Sequence, residues 1–548
     1  MWGLTLRSLV GLLLYGSRLA FAITTETVGN VVDTGYASYK GNVSYPNTVA
    51  YLGIPYAEPP LGELRFRAPL PLNVTRVAAA ANGQVIDSTT YPNFCIQGTT
   101  GVGDAGGAGS EDCLKVNIYT PYGASKGSNL PVLVYIHGGG YVYGNPANWP
   151  FDDWINQFPN VVIVSVYYRL DSFGFLAHPE LLSGTVGDLN AGFQDQIQAL
   201  KWINQYIDMF GGDPTQVTIN GQSAGGSSVE LHLVANEGST PLFHGAIAQS
   251  VFRTPVALPE QEIPAFEYYA SYAGCGPDTV AEQMACLRNA SVSALARAQD
   301  ATNYNFTGSL YNAFHPIIDG KIILDYPTRS VLRGEFKQVP LIVGATSNET
   351  LSGGSDILTA LTTYFPSLTE YDLEGYTVIY PASQYPSSNE QFRDTTGESD
   401  VRCARTILGT ALSVFNNTWT YRYNQPNPTQ INDTAVEHAS ENWMMFRGTN
   451  TGYNGTTTFT PQTPVELAFT SELFAYWLSF VRSGDPNTYK LDRSPEWPQY
   501  SFASRNRIVL QQDPQNTTTN SGNYAEPEPD AESLRCAFVA SKVDHQQA

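Results

Sequence analysis

Between Ala68 and Asn220, short β-branched or apolar runs alternate with longer amphipathic stretches. Leu130 to Ile136, Val161 to Tyr168 and Val217 to Ile219 read as strands, and the alternation predicts an α/β fold. Gln194 to Met209 carries apolar residues at Ile197, Leu200, Ile203 and Ile207, close to a period of ~3.6, so it reads as a helix. Gly211-Gly212 stops it, and a strand follows at once. Farther on, Val339 to Val343 predicts another strand and Glu466 to Val481 another helix, with a Tyr-rich middle of ambiguous pattern between them. Beyond Gln515 the chain is polar and Pro-rich and reads as loop, tied down through Cys536.

The 548 residues could fill three or four domains at ~150 residues each. However, 42% apolar and 14% charged residues, with Gly and Pro spread throughout and no internal repeat, point to one compact body. Its start has the look of an address label: Arg7, an apolar stretch from Leu9 to Leu14, then Ala20-Phe21-Ala22. Residues 1–22 are thus expected to be removed as a signal peptide, leaving a domain over 23–548. The apolar run falls short of the ~20 residues of a bilayer span, and no later segment is long enough, so a secreted or luminal soluble product is expected.

Entry into that route implies oxidation. Cys95, Cys113, Cys275, Cys286, Cys403 and Cys536 are an even set that could all pair, although sequence alone does not settle the connectivity. Bridging near neighbours would join Cys95 to Cys113 and Cys275 to Cys286, leaving Cys403 for Cys536. No Cys-x-x-Cys or His-x-x-x-His spacing speaks for a metal. Sequons at Asn42, Asn73, Asn289, Asn305, Asn348, Asn416, Asn432, Asn454 and Asn516 suit a glycoprotein. A formal charge of −21 argues against nucleic acid or an anionic membrane as partner, since phosphate binding needs a basic stripe.

Gly-x-Ser-x-Gly occurs twice. Gly123 to Gly127 has no strand leading in and reads as a surface turn. Gly221-Gln222-Ser223-Ala224-Gly225 follows Val217 to Ile219 and opens into the helix-prone run Ser227 to Val234, the strand-turn-helix setting that lifts a nucleophilic hydroxyl above a sheet. Upstream, the strand Leu130 to Ile136 ends in His137-Gly138-Gly139-Gly140-Tyr141, where glycines expose backbone amides. Gly139, Gly140 and Ala224 are therefore the candidate oxyanion donors.

In this arrangement the chain order is serine, acid, histidine. His137 and His178 precede Ser223, His232 and His244 follow it too closely, and His545 lies in the tail. Of the remaining two, His315 precedes the expected acid strand, so His438 is the candidate base. Glu349, just past the strand Val339 to Val343, is the candidate acid. If it is buried, the sequon at Asn348 is expected to go unused.

Together these residues resemble the type-B carboxylesterase/lipase family, which includes cholinesterases and fungal lipases. The likeness extends to Gly53-Ile54-Pro55-Tyr56-Ala57, Pro60 to Phe66, Ser110 to Leu114, Tyr168-Arg169 with Phe173-Gly174-Phe175, Phe210 to Pro214 and Gly484 to Asn487, across nearly the whole chain. The resemblance implies an α/β-hydrolase fold with a large, mostly parallel sheet, a Ser/Glu/His triad, an oxyanion hole of two loop glycines plus the alanine after the serine, and the three disulfide pairs just named. It also implies hydrolysis of a small-molecule carboxylic ester without a cofactor. Lipase action, acyl transfer to another acceptor and a catalytically silent binding role are its alternatives.

The sequence departs from the family at Gln222, where Glu is usual, and at Thr350, where Gly is usual. Gln222 removes a negative charge beside the serine, which tells against cationic alcohols. The Cys95 to Cys113 loop is short and Gly-rich, without the long amphipathic lid of the lipases or the choline-binding tryptophan of the cholinesterases. Oligomeric state has no signature in the sequence.

Overall fold

The structure, a computed structural model, describes residues 30–98, 109–238, 240–307, 313–350, 353–430, 435–451 and 457–548. The leader at 1–22 and the sequons at Asn432 and Asn454 lie outside them.

A ten-stranded sheet organises the chain. Its strands are β1 (Thr48–Pro55), β2 (Lys115–Pro121), β3 (Leu130–Ile136), β4 (Val162–Val166), β5 (Gly212–Gln222), β6 (Gly245–Gln249), β7 (Leu341–Thr346), β8 (Thr418–Tyr423), β9 (Asn506–Leu510) and β10 (Tyr524–Pro527). Their spatial order is β10-β9-β8-β7-β6-β5-β3-β4-β2-β1. Every pairing from β4 through β9 is parallel, and only β1, β2 and β10 run antiparallel to their neighbours. This is the sheet of an α/β-hydrolase.

Side chains alternate across a strand, and here both faces are covered. Val132, Val134 and Ile136 of β3 enter one apolar layer, whereas Leu133 and Tyr135 enter the other. β7 divides likewise, with Leu341 and Val343 on one side and Ile342 on the other. Double burial explains why these strands read as unbroken apolar runs.

The expected strands and helices are present with shifted ends. α1 spans Ala191–Tyr206, and Ile197, Leu200, Ile203 and Ile207 all join the first core layer. A 3₁₀ turn, Ile207–Phe210, then leads to Gly211 at φ 88°, a left-handed position that favours glycine. α2 (Ala224–Val234) follows the serine and is buried along nearly its whole length. The ambiguous middle contains several helices, among them α3 (Cys403–Leu412). α4 (Pro464–Ser483) starts two residues before Glu466 because Thr463 and Glu466 cap it reciprocally.

The tail corrects the sequence reading. Instead of loop it holds β10, helix α5 (Asp530–Ala540) and a last turn of helix at Val543–Gln546. Tertiary contacts override its Pro-rich composition: β10 pairs with β9, and α5 buries Glu532, Cys536 and Val539. Disulfides join Cys95 to Cys113, Cys275 to Cys286, and Cys403 in α3 to Cys536 in α5. Among the described residues, no helix is long and apolar enough to cross a membrane.

Candidate active site

β5 delivers Ser223 at its carboxyl end, where ligands bind in open α/β sheets. The serine sits at φ 60° and ψ −125°, a conformation that L-residues populate sparsely and that survives only where the surroundings impose it. They do so through the flanking glycines. A Cβ on Gly221 would lie 2.3 Å from the Gly225 carbonyl oxygen, and one on Gly225 would lie 2.1 Å from that of Ile136. The second Gly-x-Ser-x-Gly stretch is a turn in the exposed connection between β2 and β3.

The structure brings Glu349 and His438 to this serine. His438 Nε2 lies 2.8 Å from Ser223 Oγ, and Nδ1 lies 2.6 Å from Glu349 Oε2. Glu349 is fully buried just beyond β7, where the Thr346 amide donates to Oε1 at 2.9 Å. Burial works against its charge, yet His438 and the hydrogen bond from the Thr346 amide hold its carboxyl below the usual value. For His438, burial disfavours the imidazolium, but the Glu349 carboxylate outweighs it and raises the imidazole above its ordinary 6.5. The ring can therefore take a proton from Ser223 and keep it while a carboxylate balances the new charge.

Asn348 contributes a contact that sequence reasoning missed. Its amide donates to the Val436 carbonyl and its side-chain oxygen accepts from the Val436 amide, both at 3.0 Å. These two bonds fasten the acid loop to the histidine loop. Glu441 is a second omission. Buried near the pair, it accepts from the Ser250 hydroxyl at 3.3 Å, and burial together with the charge of Glu349 pushes its carboxyl up to about 7. Neither residue carries a local signature; a contact spanning some ninety positions leaves none. Thr350, the departure beside the acid, meets the Thr396 hydroxyl at 3.2 Å. Gly397 packs so closely that a Cβ there would lie 1.8 Å from the Glu349 carbonyl oxygen.

The glycine loop after β3 closes the other side. Gly139 and Gly140 have φ of 111° and 60° and line one cavity with Ser223 and His438. A Cβ on Gly138 would lie 2.9 Å from Ser223 Cβ, so close approach requires glycine there. His137 anchors the loop. Its ring stacks between Trp149 and Tyr168, Nδ1 lies 2.8 Å from the Gly138 carbonyl, and burial lowers its pKa to about 4, which keeps it neutral. Ala224 opens α2, so its amide has no partner within its own helix. Gly139 and Gly140 thus border the cavity that holds Ser223, and Ala224 follows the serine directly.

The other histidines lie elsewhere in the fold. His232 bonds Glu237 and Gln196, His315 lies 3.0 Å from the Pro316 carbonyl, and His545 contacts Asp372 at 2.6 Å.

Known proteins share this arrangement of chain. The Carboxylesterase family model matches residues 23–528. Liver carboxylesterase 1F of Rattus norvegicus is 29% identical, with 91% of each chain covered. Acetylcholinesterase of Bungarus fasciatus is also 29% identical, over 90% of this chain and 83% of its own. The crystal structure of EstA from Aspergillus niger superposes with a TM-score of 0.81 at 29% identity, covering 95% of this chain and 99% of EstA. The chain belongs to the carboxylesterase family, and it is a carboxylic ester hydrolase.

Proposed function

We propose that Ser223, His438 and Glu349 carry the hydrolysis through an acyl-enzyme. Ser223 Oγ attacks the ester carbonyl while its proton passes to His438 Nε2. The tetrahedral oxyanion rests against the amides of Gly139, Gly140 and Ala224, each of which typically lowers the barrier by ~3 to 4 kcal/mol. Collapse breaks the bond to the alcohol oxygen, which takes the proton from Nε2 and leaves. Water, deprotonated by the same nitrogen, then attacks the acyl-serine, and the free acid and Ser223 are released. The observation that carries this reading is one imidazole within 2.8 Å of a serine hydroxyl and 2.6 Å of a buried carboxylate.

Secretion after removal of residues 1–22, with 23–548 as one catalytic domain, extends the same reading. Three disulfides fit an oxidising compartment. Asn73, Asn289, Asn305 and Asn516 are exposed and open to glycosylation, whereas Asn42, Asn348 and Asn416 are partly buried. In the test of the mechanism, purified protein and Ser223→Ala are incubated with a fluorophosphonate probe and with p-nitrophenyl butanoate. Labelling and turnover are expected to vanish in the variant; equal labelling of both proteins would refute Ser223 as the nucleophile.

A further inference from the structure

Ser223 lies on a cavity of about 1030 Å3, roomy enough for a bulky ester. Seven of its lining residues are threonines, Asp356 is its one carboxylate, and it has no lysine or arginine among the described residues. Beside the threonines stand the rings of Tyr143, Trp149, Phe252, Tyr364, Phe392 and Trp443, so the wall mixes hydroxyls, amides and aromatic surface and carries little charge. Among the described residues the cavity lining lacks the cluster of carboxylates that a cationic alcohol wants.

Next to the nucleophile the lining becomes specific. Asn442 Nδ2 donates to Gln222 Oε1 at 3.1 Å. Pairing two primary amides through one bond uses one amino group and one carbonyl, and the complementary atoms are left over. Gln222 Nε2 and Asn442 Oδ1 are buried without a protein partner. Exchanging oxygen and nitrogen in both amides leaves the same surplus, one donor and one acceptor, so the conclusion does not depend on how either is oriented. A buried donor and acceptor without partners favour a ligand that can meet both.

Gln222 immediately precedes the serine, and Asn442 lies in the short helix Ser440–Met445 that follows His438. His438 hands its proton to the departing oxygen, which puts the alcohol half of the ester on the histidine's side. The amide pair spans the serine and histidine segments on that side. A hydroxyl is the smallest group that donates and accepts at once. It can donate to Asn442 Oδ1 and accept from Gln222 Nε2, whereas a quaternary ammonium can do neither and an alkyl group leaves both atoms unmet.

We propose that the Gln222–Asn442 pair is a specificity-determining subsite for the leaving alcohol, and that the enzyme's preferred substrates are esters of neutral, hydroxyl-bearing alcohols. This rests on Ser223 and His438 acting as described above. The test compares 2-hydroxyethyl butanoate with propyl butanoate, which share an acyl group and heavy-atom count, after dividing by their hydroxide-catalysed rates. Wild-type kcat/KM should favour the hydroxyethyl ester about tenfold or more, because a site built to bond a hydroxyl discriminates strongly against its absence.

Gln222→Met and Asn442→Leu conserve volume and should each bring that ratio close to one. The ratio cancels any loss common to both esters, and the two variants probe the same pair independently should one fold poorly. Equal wild-type rates, or a ratio unchanged in both variants, would overturn the proposal. Hydrolysis of neither ester by folded wild-type protein would instead count against the Ser223 mechanism itself.

Discussion

Replacing Glu349 by Gln tests the electrostatics of the site at a single atom. The Thr346 amide already donates to Oε1, so the carbonyl oxygen of the new side chain must take that place and its amino group must face His438. Nδ1 then has to accept rather than donate. The proton is driven to Nε2, where it points at Ser223 and blocks base catalysis. The variant also loses the carboxylate that balances the imidazolium. Opposite charges roughly 4 Å apart interact by about 4 kcal/mol at an effective dielectric constant near 20, which corresponds to about 10³ in rate.

The tautomer penalty comes on top, and an amide in the corresponding place of a Ser-His-Asp site lowers turnover about 10⁴-fold. Turnover of p-nitrophenyl butanoate in Glu349→Gln is thus expected to fall by about 10³ to 10⁴. The pH profile adds a sign. Burial depresses the His438 imidazole and Glu349 raises it above 6.5, so the wild-type acid limb of kcat/KM should lie above 6.5. Without the carboxylate, burial prevails and the limb should move to lower pH. A loss of less than tenfold, or an acid limb that does not move, would refute the assignment and turn attention to Glu441.

Two further outcomes concern the scaffold. In Gly225→Ala the new methyl would meet the Ile136 backbone oxygen at 2.1 Å, and neither strand nor turn can yield; a loss of about 3 kcal/mol or more is expected, read as a lower melting temperature and poor soluble yield. Replacing both Cys403 and Cys536 by Ala opens a link between positions 133 residues apart; loop-closure entropy sets about 5 kcal/mol as the scale of the loss, and unchanged thermal melting would show that α5 stays docked without the bridge.

Features that a few adjacent residues determine were legible in the sequence. The elbow around Ser223, the glycine loop after β3 and the helical period of α1 each follow from spacing within about fifteen positions. Glu349 and His438 could be found because chain order and strand ends narrow the choice, not because their own surroundings are distinctive. Asn348, Glu441 and the Gln222–Asn442 pair depend on contacts between distant segments and left no trace in local pattern. The tail failed for the same reason: its proline-rich composition says loop, whereas pairing with β9 and attachment to α3 say otherwise. Strand ends moved by a few residues because hydrogen bonding to neighbours extends β5 well beyond its apolar centre.

The cavity wall and the reacting atoms come from different parts of the chain. Ser223 and the proposed oxyanion donors Gly139, Gly140 and Ala224 are set by β3, β5 and α2, beside the twice-covered sheet. The threonines that line the cavity come from connections after β7 and β8, between Thr350 and Thr460. Substitutions in those connections can exchange one substrate for another without disturbing a packed strand. A lineage can thus inherit its chemistry intact while repeatedly rewriting what that chemistry is applied to.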